Sequence, residues 1–143
     1  MIDITTGEII LYNTGYSVTP SLTPFDLEKC VPNQIVHHYK TDTNYQHYYV
    51  WLDIDPAEYV YAAVCFRGNS LESIRLFPQY SSRALPEKQP LSMDVVIAAN
   101  LVEEWYHNHF SSEELIFVWG SIRYFSGTDP IFAPPNVLIK YKN

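Results

Sequence analysis

Five histidines are the side chains in this sequence whose spacing bears most directly on metal binding. His37 and His38 are adjacent in a strand-like segment, so they point to opposite faces and cannot share one metal ion. His107 and His109 are two positions apart near the end of a predicted helix, which separates them by about 200° around its axis. Metal ligands on one helix face are usually three or four positions apart. The sequence therefore predicts no metal site and no cofactor.

The carboxylates offer a second possible chemistry. Asp53 and Asp55 fall in the segment "LDIDP" and would share one face of a strand end, where such a pair can hold a divalent cation. A strand that ends in Asp-Pro is more often a turn, and the sequence has no glycine-rich phosphate loop. Adjacent glutamates at 103–104 and 113–114 have no neighbour that would raise a pKa for acid–base catalysis. With no nucleophile motif either, we predict that the protein is not an enzyme.

Charge and length limit the remaining classes of function. The chain has 143 residues, the size of one domain, and we expect residues 1–143 to form a single core. Sixteen acidic and nine basic side chains give a net charge of -7, and the basic residues are scattered. Nucleic-acid binding needs clustered cations, whereas an acidic surface attracts a basic protein. The sequence thus argues against nucleic acid and favours a basic protein partner.

The chain carries no sign of export or membrane insertion. Its first residues lack a basic and apolar leader, and no apolar run approaches the length that spans a bilayer. Cys30 and Cys65 have no motif spacing, which is typical of free thiols in a reducing compartment. We therefore expect a cytoplasmic protein that has no membrane contact.

Hydrophobic periodicity predicts the arrangement of strands. A small hairpin opens the chain, and Thr23 and Pro24 begin a short helix that ends at Cys30. Four strands then follow between residues 34 and 78 as an antiparallel meander. In "QHYYVWLDI", one face carries Tyr48, Val50, Leu52 and Ile54 and is the expected core face. The other face carries His47, Tyr49, Trp51 and Asp53.

A long helix and a final pair of strands complete the prediction. The helix covers residues 93–109, with Ser92 as its cap and a core stripe formed by Met93, Ile97, Leu101 and Trp105. Residues 115–125 and 137–141 read as strands, with Gly120 marking a bulge or bend. We predict an α+β fold: a curved antiparallel sheet of six to eight strands packed against the long helix, plus the short N-terminal helix.

Several segments carry a resemblance to a known group of proteins. They are "IDITTGEIILYN", "SLTPFDL", "AAVCFRGNSLESIRLF", "EEWYHNHF", "FVWGSIRYFSGTDP" and "NVLIKY". In this order, over nearly the whole chain, the sequence resembles small bacterial proteins that include immunity proteins of toxin systems such as contact-dependent growth inhibition. The chain departs from that pattern at 95–99, where more lysine is expected, and in the link "IFAPPN". The resemblance implies framework roles for Trp119, Gly120, Ile122, Asp129 and Tyr141.

The resemblance and the charge together predict an immunity protein that neutralises a toxin, most simply a nuclease. It would act as a monomer or weak dimer, through an acidic surface with aromatic anchors. The alternative is a small-ligand-binding protein or enzyme with an aromatic pocket between sheet and helix. A structural subunit that dimerises through an open sheet face is a third possibility. The residues expected to contact the partner are Asp53, Asp55, Glu58, Glu103, Glu104, Glu113 and Glu114, with His47, Tyr49 and Trp51 if their sheet face is open.

Overall fold

The structure is a computed structural model that describes residues 1–127 and 134–142. It contains two helices and ten strands in the described residues, which makes the fold α+β as predicted. In chain order the elements are β1 (Ile2–Asp3), β2 (Glu8–Ile10), β3 (Ser17–Val18), α1 (Pro24–Cys30), β4 (Ile35–Lys40), β5 (Tyr45–Asp55), β6 (Glu58–Arg67), β7 (Ser70–Ser82), α2 (Val95–His109), β8 (Glu114–Ile116), β9 (Gly120–Phe125) and β10 (Asn136–Tyr141).

Seven strands form the main sheet in the order β4-β5-β6-β7-β10-β9-β8, and every neighbouring pair is antiparallel. The strands β4 to β7 are the predicted meander, which confirms the period-two reading of residues 34–78. The strands β1, β2 and β3 form a separate three-stranded sheet. The strand count of the main sheet agrees with the expected six to eight.

One face of the main sheet carries the principal hydrophobic core. On β5, the predicted core residues Tyr48, Val50, Leu52 and Ile54 are all buried, so the assignment of that face is confirmed. Both helices and the three-stranded sheet contribute residues to the same core. Burial of this continuous aliphatic surface supplies most of the folding free energy, because hydrophobic stabilisation grows with the apolar area removed from water.

The short helix α1 begins where the sequence indicates. Thr23 is its N-cap: the Thr23 hydroxyl accepts from the Asp26 backbone N–H at 3.2 Å, and the Asp26 carboxylate accepts from the Thr23 backbone N–H at 3.2 Å. Pro24 occupies the first helical position, where a missing N–H costs nothing. This reciprocal capping box explains how a helix of seven residues has a defined start.

The long helix α2 differs from its prediction in its cap and in its buried face. Asp94, not Ser92, is the N-cap, and its carboxylate accepts from the N–H groups of Val96 and Ile97. The buried side chains are Ala98, Val102 and Tyr106. The stripe of Met93, Ile97 and Leu101 was therefore the wrong choice, and only Trp105 from that series packs against the core.

The predicted strand 115–125 is two strands. A tight turn, in which Phe117 and Gly120 exchange backbone hydrogen bonds, separates β8 from β9. Gly120 is required there, because a Cβ would lie 1.9 Å from the Lys140 carbonyl oxygen. Trp119 contacts the N-terminal hairpin: its indole N–H donates to the Ile4 carbonyl at 2.9 Å. Asp129 lies outside the described residues.

Candidate functional site

The main sheet has a second face, and a groove runs across it. We call this the aromatic groove: it has a volume of about 700 Å³ and crosses strands β4 to β7 on the side away from α2. The alternative prediction placed an aromatic pocket between sheet and helix, whereas this groove is on the other side of the sheet. Its lining residues are Tyr39, Thr41, Thr43, Tyr45, His47, Tyr49, Tyr61, Ala63, Cys65, Glu72, Ser73, Arg75, Phe77, Tyr80, Gln89 and Pro134.

Aromatic rings contact one another from edge to centre of this groove. His47 stacks with Tyr39 at 4.8 Å between ring centroids, and Tyr49 lies 6.0 Å from Tyr61. Tyr61 in turn contacts the rings of Trp51 and Phe77. On β5 and β6 these rings occupy alternate positions, opposite the aliphatic core. Tyr39 and Phe77 lie on the same face, because they pair in register with His47 and Tyr61. The rings together form the floor of the groove.

The groove is close to electrically neutral. Glu72 and Arg75 are its charged lining residues among those described, and they carry opposite charges. Burial lowers the pKa of His47, against a smaller opposing effect of the Glu72 carboxylate, and so favours the uncharged imidazole. Burial also raises the pKa of Tyr49, and raises that of Tyr61 to about 12. These tyrosine hydroxyls therefore remain protonated and can donate hydrogen bonds at neutral pH.

A register shift between β6 and β7 shapes one end of the groove. Cys65 pairs with Ser73 and Phe66 pairs with Leu71, so β7 has one extra residue, Glu72, at this point. Such a bulge redirects side chains, and here both Glu72 and Ser73 line the groove. Burial raises the pKa of the Cys65 thiol between them, and this thiol is free, as is that of Cys30.

Two of the residues predicted to contact a partner are buried. Asp53 has 0% exposure: its carboxylate accepts from the Asn13 backbone N–H and from the Gln34 side-chain amide. Trp51 is 3% exposed, and its indole N–H donates to the Lys88 carbonyl at 3.2 Å. Asp53 was expected on the partner surface, and Trp51 only if its sheet face is open. Distant segments cover both side chains, so the surface placement of Asp53 was wrong and the condition for Trp51 is not met.

Asp55 and Glu58 lie in a separate depression, which we call the N-terminal cleft. It has a volume of about 460 Å³ and is formed where the chain start meets the end of α2. The Met1 ammonium donates to the Ile54 carbonyl at 2.7 Å. Burial lowers the pKa of this ammonium, against a smaller opposing effect of the Asp55 carboxylate. Trp105 and His109 close the cleft from the helix side, with their rings stacked at 4.1 Å.

Three predicted carboxylates do come together at the β8 edge of the sheet. Glu103, Glu113 and Glu114 line a shallow depression of about 380 Å³, which we call the acidic cleft, beside Arg123 and Tyr124. Arg123 stacks over the Phe125 ring at 4.2 Å. Glu104 is exposed on α2 but does not line this cleft.

The solvent-facing side of α2, its outer face, is apolar in its first half. Val96 is 64% exposed and Ile97 is 56% exposed. At 100° per residue, Glu103 and Glu104 follow these two residues on the same side of the helix, two turns further on. The outer face therefore passes from an aliphatic surface to a carboxylate-bearing one, which continues into the acidic cleft through Glu103.

Most of the residues predicted from the sequence to contact a partner are thus distributed over three separate depressions. His47 and Tyr49 belong to the aromatic groove, Asp55 and Glu58 to the N-terminal cleft, and Glu103 with the second glutamate pair to the acidic cleft. The sequence-based prediction missed Arg75 and Glu72, although reading β7 with a period of two, as was done for β5, would have placed Arg75 opposite the core. The bulge at Glu72 gives no comparable signal.

The described residues contain no group of three or more His, Cys, Asp or Glu side chains arranged to hold a metal ion. Within the same residues, neither helix has the length and apolar character needed to cross a bilayer. Comparison of the chain with protein-family models, with curated proteins and with solved structures found no match.

Proposed function

We propose that this chain is an immunity protein that binds a basic toxin domain through the outer face of α2 and the adjoining acidic cleft. The observation that carries the proposal is the exposure of a contiguous aliphatic surface on α2 beside gathered carboxylates. Monomeric proteins seldom leave such surfaces uncovered, and those that do usually use them for binding. The resemblance described from the sequence supplies the class of partner.

The composition of α2 supports a covered outer face. Its first half reads Val95-Val96-Ile97-Ala98-Ala99, which is apolar on every side. A helix with this composition is typically buried on both sides. Here the sheet covers one side only, through Ala98, Val102 and Tyr106. A partner with an apolar patch would cover Val96 and Ile97 on the other.

The charges select the kind of partner. Glu103 continues the outer face of α2 into the acidic cleft, where it lies with Glu113 and Glu114, in a chain whose net charge is already -7. A second copy of this chain would bring like charges together and oppose association. A basic nuclease surface that normally holds phosphates is complementary to them. The charges would mainly accelerate encounter and fix orientation, while the aliphatic contacts would supply affinity.

The test uses the protein product of a toxin-like reading frame next to the gene for this chain. Co-expression with the active toxin should protect cells from growth arrest. With an inactivated toxin, titration calorimetry should show binding that weakens between roughly 0.1 M and 1 M salt, because screening shortens the range of charge attraction. Absence of both protection and binding would overturn the proposal.

Two pairs of variants locate the surface. Glu113→Lys with Glu114→Lys should weaken binding about tenfold or more and reduce its salt dependence. Asp42→Lys with Glu87→Lys makes the same change in net charge at exposed positions elsewhere and should have little effect. Ile97→Asp should abolish binding, whereas Phe25→Asp on the exposed side of α1 is its matched control. Equal effects within either pair would refute this location.

A further inference from the structure

We propose that the aromatic groove binds a neutral glycan, independently of the protein partner assigned to the outer face of α2. The two places are on opposite sides of the main sheet, since the groove residues alternate with the core residues that α2 covers. A ligand in the groove therefore leaves the outer face of α2 free. Three properties of the groove identify the class of ligand: its shape, its charge and its hydrogen-bonding groups.

The shape favours an elongated ligand that keeps one side in solvent. The groove crosses four strands, a distance of about 14 Å from the spacing of adjacent strands. Its lining rings, such as Tyr39 and Tyr45, are partly exposed, so they can still lose apolar area to a ligand. An enclosed pocket would instead surround a compact molecule. A chain of sugar rings has the required length and offers apolar ring faces to the aromatic side chains.

The charge argues against an ionic ligand. Glu72 and Arg75 offset each other, and His47 is held in its neutral form by burial. The Arg75 guanidinium is also engaged by the Asn136 side-chain oxygen, at 3.4 Å. In a chain with a net charge of -7, a neutral groove is a local exception. An anionic ligand would find one guanidinium beside a carboxylate, which is poor complementarity.

The hydrogen-bonding groups suit a ligand rich in hydroxyls. Hydroxyl and amide side chains border the aromatic floor, among them Thr41, Thr43, Ser73 and Gln89. Hydroxyl groups both donate and accept, so they can pair with sugar hydroxyls in either direction. Polar groups around an apolar floor are also the usual composition of a specific small-molecule site.

A polypeptide is the competing elongated ligand, and the backbone of the groove argues against it. Extended peptides gain affinity by adding a strand to a sheet edge through main-chain hydrogen bonds. Of the four strands that the groove crosses, β4 is the edge strand, and β5, β6 and β7, which form most of the floor, are interior strands paired on both sides. Only side chains can contact a ligand there, and this suits a glycan better than a peptide backbone.

The experiment measures binding of the full chain to cellotetraose, maltotetraose, chitotetraose and mannotetraose by calorimetry and by NMR chemical-shift mapping. At least one should bind, with shifts at groove residues and an affinity that is unchanged between roughly 0.1 M and 1 M salt. This salt response is opposite to that expected for the toxin interface, so the two proposals can fail separately. If none of the four binds, or if only peptides or flat aromatic compounds bind the groove, the glycan assignment is overturned.

Variants at exposed rings place the ligand. Tyr39→Ala and Tyr45→Ala should each weaken binding about tenfold, since truncating an aromatic anchor typically removes that much affinity. Tyr16→Ala removes an exposed tyrosine outside the groove and should leave affinity unchanged. Circular dichroism checks that all three variants remain folded. Unchanged binding in both groove variants would show that the sugar contacts another part of the chain.

Discussion

The two faces of the main sheet come from the same strands but differ in the type and exposure of their side chains. The covered face is built from aliphatic side chains, such as Val50, Ile74 and Leu76, that are 0% exposed. The groove face is built from tyrosine, histidine and tryptophan and ranges from half-exposed rings near β4 to the buried cluster of Trp51, Tyr61 and Phe77. Aliphatic side chains stabilise the fold only when they are covered, whereas tyrosine tolerates both water and apolar contact. The covered aliphatic face therefore stabilises the fold, whereas the groove face has exposed rings that are available for binding.

Truncating one side chain on each face should give the largest difference in the free energy of unfolding. Ile74→Ala leaves a cavity in the covered core and should lower the free energy of unfolding by about 2–5 kcal/mol. Tyr45→Ala, on the groove side, should cost less than about 1 kcal/mol because its ring is already partly solvated. Urea unfolding of both variants measures the two values. Similar losses would mean that the groove face is as important for stability as the core.

The next comparison is at the end of β5, where distant segments cover the groove face. Asp53 shares the face of His47 and Tyr49 on β5 but is fully buried and hydrogen-bonded. Asp53→Ala leaves the Asn13 N–H without its acceptor and should cost about 2–3 kcal/mol. Asp55→Ala, two residues further on at an exposed turn, should cost less than about 1 kcal/mol.

A smaller loss in Asp53→Asn than in Asp53→Ala would assign the effect to the acceptor oxygen. Equal stability of the Asp53→Ala and Asp55→Ala proteins, measured in the same urea titration, would contradict the role of the buried carboxylate. The control matters because both substitutions remove one negative charge from the same strand end.

The contrast between faces also explains which parts of the fold were predictable. The meander and the core face of β5 follow from the alternation of aliphatic residues, which is a local signal. The burial of Asp53 depends on Gln34 and Asn13, which come from other segments of the chain. No local pattern contains that information, so a charged residue at a strand end was read as exposed.

The buried face of α2 shows a different limit. Two series of apolar residues at intervals of four run along this helix: one begins at Met93 and the other is Ala98, Val102 and Tyr106. Both satisfy helical periodicity, so hydrophobicity alone does not choose between them. The structure selects the second series, in which the Tyr106 hydroxyl reaches the Ile122 carbonyl at 3.4 Å. Ile97, from the exposed first series, is part of the proposed partner surface together with Val96.

His47 is partly buried in the aromatic groove, and this burial should make the stability of the fold depend on pH. Burial lowers the pKa of His47 below its usual value of 6.5, so the unfolded chain binds its proton more readily than the folded one. Stability should therefore fall as the pH drops below about 6.5, and this loss should level off below the folded-state pKa. His47→Gln should reduce the fall, measured as the difference in urea midpoint between pH 7 and the acidic range. Tyr16→Ala, distant from His47, should keep the wild-type pH dependence. A His47→Gln protein with the same dependence as the wild type would show that this imidazole is as solvated as one on an open surface.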